Sequence, residues 1–217
     1  MHPFKGKFVV LEGIDLSGKG THTIGLAKHF YTKSKQNIFL LTREPTMSTD
    51  EGRLLRHLLK TMSDPKAEAE RLFQLYVADR KKHLANFVIP ALEFGAIVFC
   101  DRFKHSTIAY QGALGVPVEK IIDAHSEMIV PDLTIIFDIA PEEYERKFAM
   151  QKSKGTHQEV FDRDGEFIAK VREIYLQMPK LLPNENIKII DAARPFEEVH
   201  QEVIAEVEKI LLPIDSV

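Results

Sequence analysis

One stretch of this chain has the residue types and spacing to handle a phosphate chain: Gly13-Ile-Asp-Leu-Ser-Gly-Lys19, followed by Gly20 and Thr21. The G-x-x-x-x-G-K spacing lets a loop wrap around phosphates. Its glycines allow close backbone approach, and successive N–H groups through Ile14, Asp15, Leu16, Ser17 and Gly18 turn inward as an anion nest. Lys19 reaches the terminal phosphates, and the helix that follows presents its positive N-terminal end. A hydroxyl residue usually follows the lysine. Gly20 stands there instead, so Thr21 becomes the candidate for contact with phosphate or with Mg²⁺ and its waters. The competing reading is a chance glycine-rich turn. The apolar run Phe8–Leu11 before the loop and the helical pattern after it argue against that.

Other candidates stand just after further apolar runs. Ile38–Leu41 reads as a second strand and delivers Thr42-Arg-Glu-Pro45, where Arg43 is either a phosphate ligand or the partner of Glu44. Ala96–Cys100 reads as a third strand and delivers Asp101 and Arg102. An acidic residue in that place can hold Mg²⁺ or its waters, and Arg102 is a second phosphate candidate. Ser106, Tyr110 and Gln111 follow at helical spacing. Tyr76 and Arg80 are four apart and share a helix face. They could hold a base between ring and guanidinium, or be a core tyrosine and a solvated arginine.

The positioning elements read as follows. Helices are expected over Lys19–Ser34 (apolar stripe Ile24, Ala27 and Phe30 or Tyr31), from a capping box of Ser48 and Glu51 to Pro65, and over Lys66–Phe94 with a kink at Pro90. Val118–Ile129 and Gly165–Met178 continue the pattern, Pro141 opens a helix bearing Arg146 and Lys147, and Pro195 opens the last. Leu133–Phe137, ending at Asp138, and Ile187–Ile190 supply the fourth and fifth strands. Gln151–Gln158, with Lys152 and Lys154, reads as a mobile basic loop or a plain solvated connection. Alternation of strand and helix implies an α/β fold: a parallel sheet of about five strands, helices on both faces and the phosphate-loop strand central.

At 217 residues and a net charge of −3 the chain fits one domain, 1–217, and does not fit a general binder of nucleic acid or membrane surfaces. The single Cys100 excludes an internal disulfide and a cysteine zinc cage. Neither a signal peptide over Met1–Lys7 nor a membrane span is expected, and Leu212–Val217 reads as a loose tail. A reducing, cytoplasmic setting follows.

Taken together the segments resemble thymidylate kinases, P-loop nucleoside-monophosphate kinases with a three-layer fold and a short lid. The marks are Glu12-Gly-Ile-Asp15, Thr42-Arg-Glu-Pro45, Tyr76-Val-Ala-Asp-Arg80, Asp101-Arg-Phe103, Ser106-Thr-Ile-Ala-Tyr-Gln-Gly112, Pro131-Asp-Leu-Thr134 and a charged lid, about 148–163, before Phe161-Asp-Arg163. The resemblance implies transfer of the γ-phosphoryl of ATP to dTMP with Mg²⁺, by a homodimer. It gives Lys19 to the ATP phosphates, and Asp15, Thr21 and Asp101 to the neighbourhood of the metal. Arg43 and Arg102 take the acceptor phosphate, Tyr76 and Arg80 the base, Ser106 and Gln111 the nucleoside, Tyr110 and Asp15 the sugar side, and Arg194 the surroundings of adenine. Gly20, His22 and Phe103 depart from the usual residues, and Leu16 and Val160 hold positions where relatives carry a catalytic arginine. Arg146, then Lys152, are the replacement candidates. Other readings are a kinase for another acceptor such as dUMP, a deoxynucleoside kinase, or a nucleotide-binding switch. Two phosphate-facing arginines argue against a neutral nucleoside acceptor.

Overall fold

A computed structural model describes residues 2–153 and 165–211, without the Lys152 side chain. The tail and most of the expected lid, including Lys154, Val160 and Arg163, lie outside the described residues. Five parallel strands, β1 (Lys7–Gly13), β2 (Phe39–Arg43), β3 (Ile97–Asp101), β4 (Leu133–Asp138) and β5 (Ile187–Asp191), lie in the order β2-β3-β1-β4-β5. The phosphate-loop strand is central, as expected. Its alternate residues enter two cores: Val9 and Leu11 pack into one, Phe8 and Val10 into the other. A strand buried on both faces has no polar side to alternate with, and this is why β1 reads as one apolar run.

The helices are α1 (Lys19–Lys33), α2 (Asp50–Thr61), α3 (Ala69–His83), α4 (Ile89–Phe94), α5 (Lys104–Ala113), α6 (Val118–Ala124), α7 (Pro141–Ser153), α8 (Gly165–Leu181) and α9 (Phe196–Leu211). Several expectations need correction. In α1 the buried side is His22, Thr23, Leu26 and Phe30, while Ile24 is 67% exposed. The Ser48–Glu51 box does not form. Thr49 caps α2, accepting from the Gly52 N–H at 2.9 Å, because Asp79 draws the Thr46 and Thr49 hydroxyls inward and starts the helix one residue later. Glu51 instead accepts from Lys82 at 2.6 Å. The helix expected from Lys66 begins at Ala69, and ahead of Pro90 it widens into a π-helical turn, Leu84–Val88. Proline has no N–H for the ladder and its ring displaces a carbonyl one turn back, and a π turn absorbs both faults. The helix expected to reach Ile129 stops at Ala124, where His125 turns its ring back onto the Ile121 carbonyl.

The path from β2 into α2 sets one wall of the cleft described next. It is held by close backbone contact at Gly52, where a Cβ would lie 2.0 Å from the Thr46 carbonyl oxygen and 2.8 Å from Asp79 Oδ1. Backbone cannot yield there as a flexible side chain would. Gly52→Ala is expected to lower the thermal midpoint by roughly 5–10 °C. A melting curve superimposable on the parent's would contradict this packing.

Candidate active site

The carboxyl ends of β1, β2 and β3 open into a cleft of about 550 Å³. In an open parallel sheet this edge, beside the central strand, is where ligands enter. β1 ends at Gly13, whose φ of 136° turns the chain so tightly that a Cβ would lie 2.5 Å from the Phe137 carbonyl oxygen. The loop then passes through left-handed Leu16 (φ 65°) and Gly18 (φ 96°) into α1. Lys19 folds back and donates to the Ile14 carbonyl at 2.7 Å, keeping its ammonium over the loop.

Arg102 faces Lys19 from β3. It is a left-handed non-glycine residue (φ 73°), a strained state that persists where surrounding bonds impose it. Its backbone N–H donates to the Leu11 carbonyl at 2.9 Å. Its guanidinium donates to Asp15 Oδ1 at 2.5 Å, Ser106 Oγ at 3.0 Å and the Gly13 carbonyl at 3.2 Å, and lies over the Tyr110 ring. Tyr110 in turn donates to Asp15 Oδ2 at 3.0 Å. Burial opposes the Asp15 charge, but Arg102, Lys19 and the Tyr110 hydrogen bond outweigh it and hold Asp15 ionised well below the usual carboxylate range. Asp101 Oδ1 is buried with no hydrogen-bond partner among the described residues, and Asp101 Oδ2 lies 3.8 Å from where a Gly20 Cβ would stand. Two carboxylates and the exposed Thr21 hydroxyl are hard oxygen donors of the kind Mg²⁺ takes alongside substrate phosphates, and the orphaned Asp101 oxygen fits such a use.

The thymidylate kinase family model matches residues 11–203. The chain is 40% identical to a probable thymidylate kinase of Pyrococcus abyssi over 213 residues, covering 96% of this chain and 98% of that one. It is 36% identical to a probable thymidylate kinase of Pyrococcus horikoshii over 211 residues, 96% and 98% of the two chains. With the thymidylate kinase of Ligilactobacillus salivarius it shares 34% over 212 residues, 93% and 97%. The chain belongs to the thymidylate kinase family. It is an ATP-dependent nucleoside-monophosphate kinase that phosphorylates dTMP. Among the described residues no helix is long and apolar enough to cross a membrane.

Of the residues singled out in the sequence, Asp15, Lys19, Thr21, Arg43, Tyr76, Arg80, Asp101, Arg102, Ser106 and Tyr110 all line the kinase's cleft. Arg43 is exposed, and Glu44 is not its partner: both Glu44 oxygens are taken, by Arg80 at 2.7 Å and His83 at 2.9 Å. Arg80 is no solvated arginine, being 1% exposed. Gln111 is fully buried with its amide unpartnered among the described residues, and does not line the cleft. Nor do Arg146, paired with Glu143 at 2.7 Å, and Arg194, paired with Glu202. Arg56, one helical turn beyond Gly52, enters the cleft from α2, and no motif in the sequence marks it. Gln151 lines the cleft from α7.

Burial, and next the Arg102 charge, bring the Lys19 ammonium down to about 8, with Asp15, Asp101 and Glu12 offsetting part of the fall. ATP phosphates placed against Lys19 would favour its charged form and reverse the shift. Above pH 8 the empty site therefore loses a proton that ATP binding must restore, and affinity declines as pH rises. Calorimetry at pH 8.5 in buffers of different ionisation enthalpy is expected to show uptake of roughly 0.7 proton per ATP, abolished in Lys19→Met. A buffer-independent enthalpy would contradict it.

Proposed function

We propose that ATP and dTMP meet end to end in this cleft, ATP phosphates over the loop at Lys19 and the acceptor phosphate between Arg43 and Arg102, with the thymine against Tyr76 and Arg80. The observation that carries this reading is the single cavity onto which Lys19, Arg43 and Arg102 all open. A lone nucleotide site needs one phosphate-binding group; phosphate-to-phosphate transfer needs two groups facing each other. The acceptor oxygen is ionised at neutral pH, so no general base is required, and catalysis rests on alignment and on charge around the moving phosphoryl. Asp15 stays ionised and aims the Arg102 guanidinium while holding the Tyr110 hydroxyl. Asp101, Thr21 and Asp15 would hold Mg²⁺ near the phosphates, where it would supply charge neutralisation.

Arg146 and Lys152 are the proposed cations from the lid side. Arg146 reaches the site by exchanging its Glu143 partner for the phosphate charge. Arg194 and its neighbours flank the adenine, and Gln111 backs the nucleoside side of α5. A single 1–217 domain working as a homodimer in the cytoplasm completes the reading.

Tyr110 is 7% exposed and pinned through its hydroxyl, so its ring forms a fixed wall where the sugar lies. A wall packed against C2′ leaves no room for a ribose hydroxyl. Coupled ADP-release assays are expected to give turnover with dTMP, little with UMP, AMP or thymidine, and a preference for dTMP over its ribo analogue that Tyr110→Ala narrows by about tenfold. Slow ATP hydrolysis indifferent to every monophosphate would overturn the kinase reading. Unchanged sugar discrimination in Tyr110→Ala would overturn the role of the ring.

A further inference from the structure

Arg80 combines two properties that rarely coincide: it lines the cleft, and it is 1% exposed. A guanidinium so enclosed must have its charge and its donors met. Nε–H donates to Glu44 Oε2 at 2.7 Å, one terminal nitrogen donates to Thr107 Oγ1 at 3.1 Å, and the other donates to His125 Nε2 at 2.6 Å. The Phe103 ring lies against the guanidinium, 5.2 Å from ring centroid to its carbon.

The last of these acceptors is the unexpected one. His125 follows α6, none of whose residues lines the cleft among those described. Its tautomer follows from its two partners. Nδ1 lies 2.6 Å from the Ile121 carbonyl oxygen, which can only accept, so Nδ1 carries the hydrogen. Arginine can only donate, so Nε2 is a bare lone pair. Burial, and then the Arg80 charge, push His125 down to about 3, which keeps the imidazole neutral throughout the working range of pH. On the far side Glu44 is fixed by His83, and His83 by Thr42 at 2.7 Å. The guanidinium is therefore clamped on three of its five N–H groups from three separate elements.

We propose that His125 is a positioning residue for base selection: it clamps Arg80 so that the remaining guanidinium N–H groups meet the group at C4 of the pyrimidine. This rests on the reading that the base lies against Tyr76 and Arg80. A clamped, donor-only group donates to the C4 carbonyl oxygen of thymine and rejects the C4 amino group of cytosine, which is itself a donor. A mobile arginine could swing aside from cytosine, and discrimination would fall. His125 thus sets the choice between dTMP and dCMP from outside the cleft, without touching either.

The test compares steady-state constants for dTMP, dCMP and ATP in the parent, His125→Ala, His125→Gln, Thr107→Val and Arg80→Ala. His125→Ala is expected to raise KM for dTMP and to narrow the dTMP-over-dCMP ratio of kcat/KM, each by about tenfold, with KM for ATP unchanged. His125→Gln places an amide oxygen close to the position of Nε2 and is expected to restore both. Thr107→Val removes a second acceptor with little change of shape, and its smaller loss in the same direction supports the clamp should His125→Ala fail to fold. If Arg80→Ala lowers discrimination while His125→Ala and Thr107→Val leave it intact, the clamp is overturned and the reading of the cleft survives. If Arg80→Ala itself leaves discrimination and KM for dTMP intact, the base does not lie at Arg80, and the underlying reading falls with the proposal. An equal loss of kcat and of ATP affinity in His125→Ala, not restored by glutamine, would show a purely structural residue and overturn the proposal.

Discussion

The arrangement depends on one buried carboxylate. Glu12, at the end of β1, is fully enclosed, and an unpaired charge there would be very costly. Its Oε1 accepts the backbone N–H groups of Phe103 at 2.7 Å and Ser106 at 3.2 Å, and its Oε2 accepts the hydroxyls of Ser106 at 2.6 Å and Tyr175 at 2.9 Å. Helix α5 has no side-chain cap from its own N-cap residue, Phe103. Glu12 performs that service from β1, meeting the Phe103 and Ser106 N–H groups at the start of the helix with a full negative charge. Burial opposes its ionisation, but His105, Ser106 and Arg102 more than offset this and hold its pKa below the ordinary value. His105 lies wholly buried between Glu12 and Glu185, and Tyr175 brings α8 into the same knot.

This fixes how the two halves of the site face each other. The phosphate loop begins one residue after Glu12, and Arg102 lies one residue before Phe103. Tying β1 to the start of α5 therefore sets the span between Lys19 and Arg102, and it aims the Ser106 and Tyr110 side of α5 at Asp15. A neighbouring stripe of the same helix carries Thr107 to Arg80. One short helix thus serves the Asp15–Arg102 side and the Arg80 side of the cleft together. The left-handed backbone at Arg102 is the local strain that this fastening imposes.

Much of this was legible because parallel strands buried on both faces read as plain apolar runs, with chemistry concentrated just beyond them. The loop from Gly13 to Lys19 and the placement of Asp101 and Arg102 follow from that rule, whereas of the sheet's order only the central place of β1 was expected. What escaped was set by partners far away in the chain. Arg80 looked solvated or base-binding from its helix alone, since Glu44, Thr107 and His125 stand 36, 27 and 45 residues from it. The true start of α2 is decided by Asp79, 30 residues beyond Thr49. Glu12 was visible within a motif, but only the fold shows that it caps α5. Arg56 is one cation among many on a helix surface until the cleft is in view.

The Glu12 charge holds Arg102 and the start of α5 opposite the phosphate loop. The most direct test of this fastening is Glu12→Gln, which keeps the shape of the side chain while removing the charge and replacing one acceptor with a donor. With the chain folded, as judged by its thermal unfolding, kcat/KM for dTMP is expected to fall by about 10- to 100-fold. A folded Glu12→Gln protein with parental kcat/KM would contradict the account.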